Sequence, residues 1–217
     1  MPKQAAMLSV QKFDFNPEVS VPVMEHFYTL QGEGYWNGIP SYFVRLAGCN
    51  VGCVWCDVKE SWDATAQQLI GLDEIVTLVA SSGCGRVVIT GGEPAMYDLN
   101  ALTMKLKNSG IKIHVETSGA YPLKGNFDWI CLSPKKFLPP VPEIYAKANE
   151  LKIIVFNEHD FKWAESEAEK CNPGFTRLYL QAEWEKRNEF YPKIVSYLKA
   201  NPKWRLSIQS HKYVQIP

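Results

Sequence analysis

The feature that most restricts the fold is a repeated alternation: short apolar, β-branched runs separated by stretches whose apolar residues recur at helical spacing. The pattern predicts strands over 41–46, 86–90, 111–116, 129–132, 151–156, 176–180 and 204–208. Between them it predicts helices over 73–80, 99–107, 142–148, 161–170 and 190–198, the second of them stopped by Gly110. Several strands are almost continuously apolar, which suits strands covered on both faces. Strand followed by helix, repeated, means an α/β fold with a mostly parallel sheet and crossover helices. About six such steps in 217 residues fall short of the roughly 250 of a complete eightfold barrel, so the expected form is an incomplete, open (βα)6-like barrel. No repeat or low-complexity tract interrupts it, and Pro139, Pro140 and Pro142 mark a turn. One domain over 1–217 is expected, with 1–24 as a polar, proline-broken lead.

Charge and cysteine usage narrow the setting. With 23 basic and 23 acidic side chains there is no diffuse positive field to draw in nucleic acid or an anionic membrane, so neither partner is expected. No apolar signal core opens the chain, and no run reaches the roughly 18 residues of a membrane span. Six cysteines are too few and too unevenly spaced for a secreted disulfide framework, which points to a reducing cytoplasm.

In sheets of this kind ligands gather at the carboxyl ends of the strands, and there the sequence turns polar. The predicted strands run into Cys49, into Thr90-Gly91-Gly92-Glu93-Pro94, into Glu116-Thr117-Ser118-Gly119, into Ser133-Pro134-Lys135-Lys136, into Gln181 and into Gln209-Ser210-His211-Lys212. The first of these opens a C-x3-C-x2-C triplet, Cys49, Cys53 and Cys56, with Gly48 and Gly52 free to curl the backbone. Three thiolates on one loop suit a [4Fe-4S] cluster with one iron open to a small molecule. Zinc completed by a distant ligand, a Cys53–Cys56 redox disulfide and plain core thiols are the competing readings. Cys84, Cys131 and Cys171 read as bystanders.

The triplet after a first strand, followed by Thr90-Gly91-Gly92-Glu93-Pro94 after a second, resembles the radical S-adenosylmethionine (SAM) superfamily. Four further stretches, Phe27 to Gly34, Arg45, Glu116 to Gly119 and Gln209 to Tyr213, are similar to the 7-carboxy-7-deazaguanine synthase family. That family contracts 6-carboxy-5,6,7,8-tetrahydropterin to a deazapurine on the route to queuosine. The resemblance implies a lyase using one [4Fe-4S] cluster on three cysteines, SAM and Mg2+. It also implies a flavodoxin- or ferredoxin-type reductant and a homodimer. It places Trp55, Cys56, Asp57, Gly92, Glu93, Ser133, Pro134, Lys135 and Gln181 at SAM, and Leu30, Gln31, Gly32, Arg45, Thr90, His211 and Pro217 at the substrate, with Glu116 and His211 as aids to proton transfer. Arg45 has a competing reading as an internal ion-pair partner, and Glu116 one as a satisfied strand-end carboxylate. Two departures stand out. Val58 occupies the position of a Mg2+-binding threonine and offers no oxygen to a hard cation, so the metal is expected to be held weakly or to be dispensable. Gln181 is followed by Ala182 where relatives tend to have proline. A glycyl-radical activating enzyme shares the cysteine spacing, and a non-enzymatic iron-sulfur or zinc protein is the rival of another class.

Overall fold

The computed structural model describes residues 14–217; the first part of the polar lead, 1–13, lies outside the described residues. The strands are β1 (Ser20–Leu30), β2 (Pro40–Leu46), β3 (Leu69–Gly71), β4 (Arg86–Gly91), β5 (Lys112–Thr117), β6 (Trp129–Leu132), β7 (Glu150–Val155), β8 (Arg177–Ala182) and β9 (Trp204–Ser207). They form one open sheet in the order β3-β1-β2-β4-β5-β6-β7-β8-β9. From β2 to β9 every neighbouring pair is parallel, which is the expected incomplete barrel. The helices are α1 (Leu72–Ser81), α2 (Asn100–Asn108), α3 (Pro142–Lys147), α4 (His159–Ala168), α5 (Arg187–Ala200) and α6 (Ser210–Val214). No helix among the described residues is long and apolar enough to cross a membrane.

The strand pattern departs from expectation at the amino-terminal side. β1, which begins inside the segment read as a lead, pairs antiparallel with β2 and β3. Its residues do not alternate cleanly: Val21, Pro22 and Val23 are buried together, and the remainder runs along a largely exposed margin. Pro22 looked like a breaker but sits in a tolerated place, paired with Leu69 of the three-residue edge strand β3.

From β4 to β8 the two faces of the sheet divide by chemistry, because successive side chains point to opposite sides. Val87, Ile89, Ile113, Val115, Leu132, Leu151, Ile153 and Leu180 are fully buried in two apolar clusters shared with the helices. Each such side chain contributes about 1.5–3 kcal/mol of burial. The alternate positions carry Arg86, His114, Glu116, Glu150, Lys152 and Gln181, several of them buried as well. The inner face of the barrel is thus polar while its outer, helix-covered face is not.

At the amino-terminal rim of that inner face, Arg86 Nη1 lies 2.5 Å from His114 Nε2. Since guanidinium only donates, Nε2 accepts and the ring is neutral. Burial, aided by the Arg86 charge and opposed by Asp128, lowers the His114 pKa to about 3. An unfolded histidine titrates near 6.5, so the stability this ring contributes is present above that pH and is lost as pH falls toward 3. His114→Gln is expected to lower the melting temperature at pH 7 but to show a smaller further drop on going to pH 4.5 than the parent. Equal drops in the two proteins would show that His114 is not the acid-sensitive group.

Candidate active site

The carboxyl ends of β2, β4, β5, β6, β7 and β8 border a cavity of about 270 Å³, close to the lower end of small-molecule sites at roughly 300 Å³. All three triplet cysteines line it, as do Leu30, Gln31, Gly32, Arg45, Thr90, His211 and Pro217 from the expected substrate set. Trp55, Asp57, Val58, Gly92, Glu93, Ser133, Lys135, Gln181 and Glu116 line it too, whereas Pro134 is buried and is not part of the lining.

The cysteine loop is held by its backbone. Gly48 N donates to Ser61 O at 2.7 Å and Cys49 N to Trp62 O at 3.0 Å, and Gly48 and Gly52 take φ of 96° and 73°, open to glycine at little cost. The thiols are free. Burial pushes the Cys49 thiol up to about 11 and raises Cys53 as well, so ionising them calls for a strong local cation. Among the described residues no three His, Cys, Asp or Glu side chains converge on a single metal ion. The donor set of three soft sulfurs on one loop fits an iron-sulfur cluster, whose irons spread their thiolate ligands apart.

The Gly-Gly-Glu element is the loop's abutment. A Cβ on Gly92 would stand 2.1 Å from Gly48 O, and one on Gly91 2.2 Å from Leu46 O, so only glycine lets β4 run this close to the end of β2. Gly92 N then donates to Leu46 O at 2.8 Å and Glu93 N to Gly48 O at 2.9 Å. The Glu93 carboxylate is 1% exposed. It accepts from Ala95 N at 2.9 Å, from Ser118 N at 2.8 Å and from the Thr117 and Ser118 hydroxyls. Both its oxygens therefore have internal donors that tie β4 to the end of β5.

Opposite the cysteine loop lies a charged floor. Gln31 Nε2 donates to Glu116 Oε1 at 2.9 Å, and Glu33 N donates to Gln31 Oε1 at 3.1 Å. Lys152 donates to Glu33 and, at 3.2 Å, to Glu116. Burial acts against the Glu33 charge, yet Lys152, Gln209 and His211 bring its pKa down to about 2. Burial likewise opposes the Lys152 charge, and Glu116 and Glu33 more than offset it, holding the ammonium well above its usual value. Arg45 lines the cavity while its Nε donates to Glu25 Oε1 at 2.6 Å across the β1–β2 pair, so the ion pair left open by the sequence is present. The carboxyl-terminal segment seals one side. Ser210 N donates to Gly32 O at 2.9 Å, and the His211 ring packs where a Cβ on Gly32 would be, 2.0 Å from Nδ1.

Sequence pattern alone assigns no role to Lys152, and marks Glu33 and Gln209 only as members of the Phe27 to Gly34 and Gln209 to Tyr213 stretches. The signal for Lys152 is a lysine in a strand whose one other polar residue, Glu150, shares its phase.

The open parallel sheet and the cysteine loop braced by a Gly-Gly-Glu turn define a class. The radical SAM superfamily model matches residues 44–154, just over half the chain, and the chain belongs to that superfamily. It is 52% identical over 197 residues to the 7-carboxy-7-deazaguanine synthase of Flavobacterium psychrophilum, covering 91% of this chain and 93% of that protein. It is 51% identical to the protein of that name from Synechocystis, covering 91% and 94%. The crystal structure of QueE from Escherichia coli superposes with a TM-score of 0.80 at 29% identity, covering 88% of this chain and 95% of that one. Within the superfamily, the chain belongs to the 7-carboxy-7-deazaguanine synthase family.

Proposed function

We propose that this chain converts 6-carboxy-5,6,7,8-tetrahydropterin into 7-carboxy-7-deazaguanine and ammonia by radical ring contraction, a step toward queuosine. The observation that carries the reading is that three cluster-type cysteines and a polar set suited to a pterin, Gln31, Glu33, Glu116 and Arg45, line the same cavity. When bound, the cluster and SAM supply a 5′-deoxyadenosyl radical that takes hydrogen from the substrate. Cys49, Cys53 and Cys56 would hold the cluster. Trp55, Asp57, Gly92, Ser133, Lys135 and Gln181, with Cys56 beside them, form the wall suited to SAM; Lys135 Nζ is fixed there by Ser133 O at 2.5 Å and stands 5.5 Å over the Trp55 ring. Gln31 and the two carboxylates offer acceptors to the ring's amide-like edge, and Arg45 offers charge-assisted bonds to its carboxylate. Phe27, Phe43 and Pro217 close off water. Holding the reacting groups aligned is worth roughly 7–11 kcal/mol. Glu116 and His211 line the same cavity and are the groups this reading assigns as aids to proton transfer. A flavodoxin- or ferredoxin-type donor is the reductant this reading calls for, and a homodimer the assembly the resemblance implies.

Mg2+ does not fit the residues present. Val58 faces the cavity without an oxygen, and the neighbouring Asp57 Oδ2 already accepts from Lys212 Nζ at 2.9 Å and Gln209 Nε2 at 3.4 Å. The test is anaerobic reconstitution followed by incubation with dithionite, SAM and the carboxytetrahydropterin. 5′-Deoxyadenosine and the deazaguanine are expected, and stripping divalent ions with a chelator is expected to leave most of the turnover. An intact cluster that yields neither product sinks the function; a strict, tight Mg2+ requirement overturns the metal assignment alone.

A further inference from the structure

Lys152 is an enclosed cation at the bottom of the cavity, its side chain 4% exposed. Its ammonium bridges Glu33 and Glu116, and the second oxygen of each carboxylate is also engaged: Glu116 Oε1 by Gln31 Nε2 and Glu33 Oε1 by Gln209 Nε2, both at 2.9 Å. The turn after β1 and strands β5 and β7 therefore meet at one nitrogen, and the residue before α6 holds Glu33 by its other oxygen. A buried set of charges is seldom more stable than apolar packing of the same volume. Apart from Glu150, the residues of β7 around Lys152 are apolar, with Leu151 and Ile153 on either side. An ammonium kept at this depth between two carboxylates thus calls for a use beyond stability.

Burial acts on the titratable groups around these three, and the Arg45 guanidinium lines the same cavity. From β6, Cys131 is kept a neutral thiol by burial; from β7, burial pushes Glu150 up; from α6, burial lowers His211; and behind Trp55, burial lowers Lys135. At the cavity floor itself two carboxylates share one ammonium, an arrangement rich in acceptors. That suits a ligand edge made of N–H donors, and the 2-amino group and N3–H of a pterin form such an edge.

We infer that Lys152 is a positioning residue that holds the Glu33 and Glu116 carboxylates side by side, so that the pair accepts from the N–H edge of the pterin ring. The inference rests on the proposed function. Without the ammonium, burial and the like charge alongside both favour the neutral form of one carboxylate. Lys152→Met is therefore expected to raise KM for the pterin about 10- to 100-fold at pH 7, the loss of a charged hydrogen-bond acceptor, with kcat changed less. Its kcat/KM is expected to rise with pH through the neutral range, where the parent has no such limb. Lys152→Arg, which keeps the charge, is expected to restore the flat profile. In Glu33→Gln/Lys152→Met a single carboxylate remains, so the limb disappears while KM stays high; this variant also serves if Lys152→Met does not fold. A pH-independent loss shared equally by kcat and KM, or a limb that persists in the double variant, overturns the inference. A parent enzyme that makes no deazaguanine overturns the proposed function instead.

Discussion

Glu93→Ala is expected to destabilise the protein by about 3–5 kcal/mol and to lower the iron retained after reconstitution. The carboxylate accepts two backbone N–H groups, Ala95 N and Ser118 N, and two hydroxyls, Thr117 and Ser118, all in a place from which water is nearly excluded. Each buried donor left without an acceptor costs about 1–3 kcal/mol. The hydroxyls can turn to the cavity, so the full sum is not reached. Glu93→Gln keeps the shape but faces an amide donor toward donors, and its cost is expected to lie between those of the parent and Glu93→Ala. Iron retention follows because Glu93 N is the group that fixes Gly48 O at the mouth of the cysteine loop. Anaerobic denaturant unfolding of the cluster-free protein, with iron analysis after reconstitution, measures both effects. A Glu93→Ala variant unfolding within about 1 kcal/mol of the parent would mean the carboxylate is not the tie between β4 and β5.

The same residues show which parts of this molecule can be read from a sequence. The parallel strands and the cysteine triplet announce themselves within a few residues each: apolar β-branched runs for the first, three thiols between two glycines for the second. Gly92 belongs to that group too, because the demand for glycine comes from a neighbouring backbone at 2.1 Å and leaves its mark as a fixed residue type. β1 is different. It is a margin strand with Pro22 near its start and mostly exposed residues along its second half, so neither period nor composition marks it. The cavity floor was hidden for another reason. Lys152 and Glu33 are 119 residues apart and meet only because β7 and the turn after β1 face one cavity. Local pattern contains no trace of such a contact. What it does contain is phase: His114, Glu116, Glu150 and Lys152 all sit on the inward parity of their strands, while Ile113, Val115, Leu151 and Ile153 sit on the helix-facing one. Counting parity instead of total hydrophobicity would have marked the inner face as polar.

Cys53→Ala, like Cys49→Ala or Cys56→Ala, is expected to abolish the visible absorbance of the reconstituted cluster and bring deazaguanine formation to background, while Cys84→Ser and Cys171→Ser keep both. The contrast follows from where the six sulfurs lie. The triplet thiols share one loop and one cavity wall. Cys84 Sγ is instead bonded to Arg86 O at 3.0 Å and close to Ser82 Oγ at 3.1 Å, and Cys171 Sγ donates to Glu167 O at 3.6 Å under the helix-facing core. A serine hydroxyl can take over either donation, so the cost of those changes is confined to about 1 kcal/mol of stability. Within the triplet no such replacement exists, because an open cluster with three protein ligands has no spare, and alanine leaves a second iron exposed to solvent and oxidation. The burial that raises the Cys49 and Cys53 thiols sharpens the point: it keeps them protonated until iron arrives, so two remaining cysteines cannot compensate by binding more tightly. Iron and sulfide analysis beside the spectrum separates loss of the cluster from loss of the fold. A Cys53→Ala protein that keeps a full cluster, or a Cys84→Ser protein that loses it, would transfer the metal site to a different set of sulfurs.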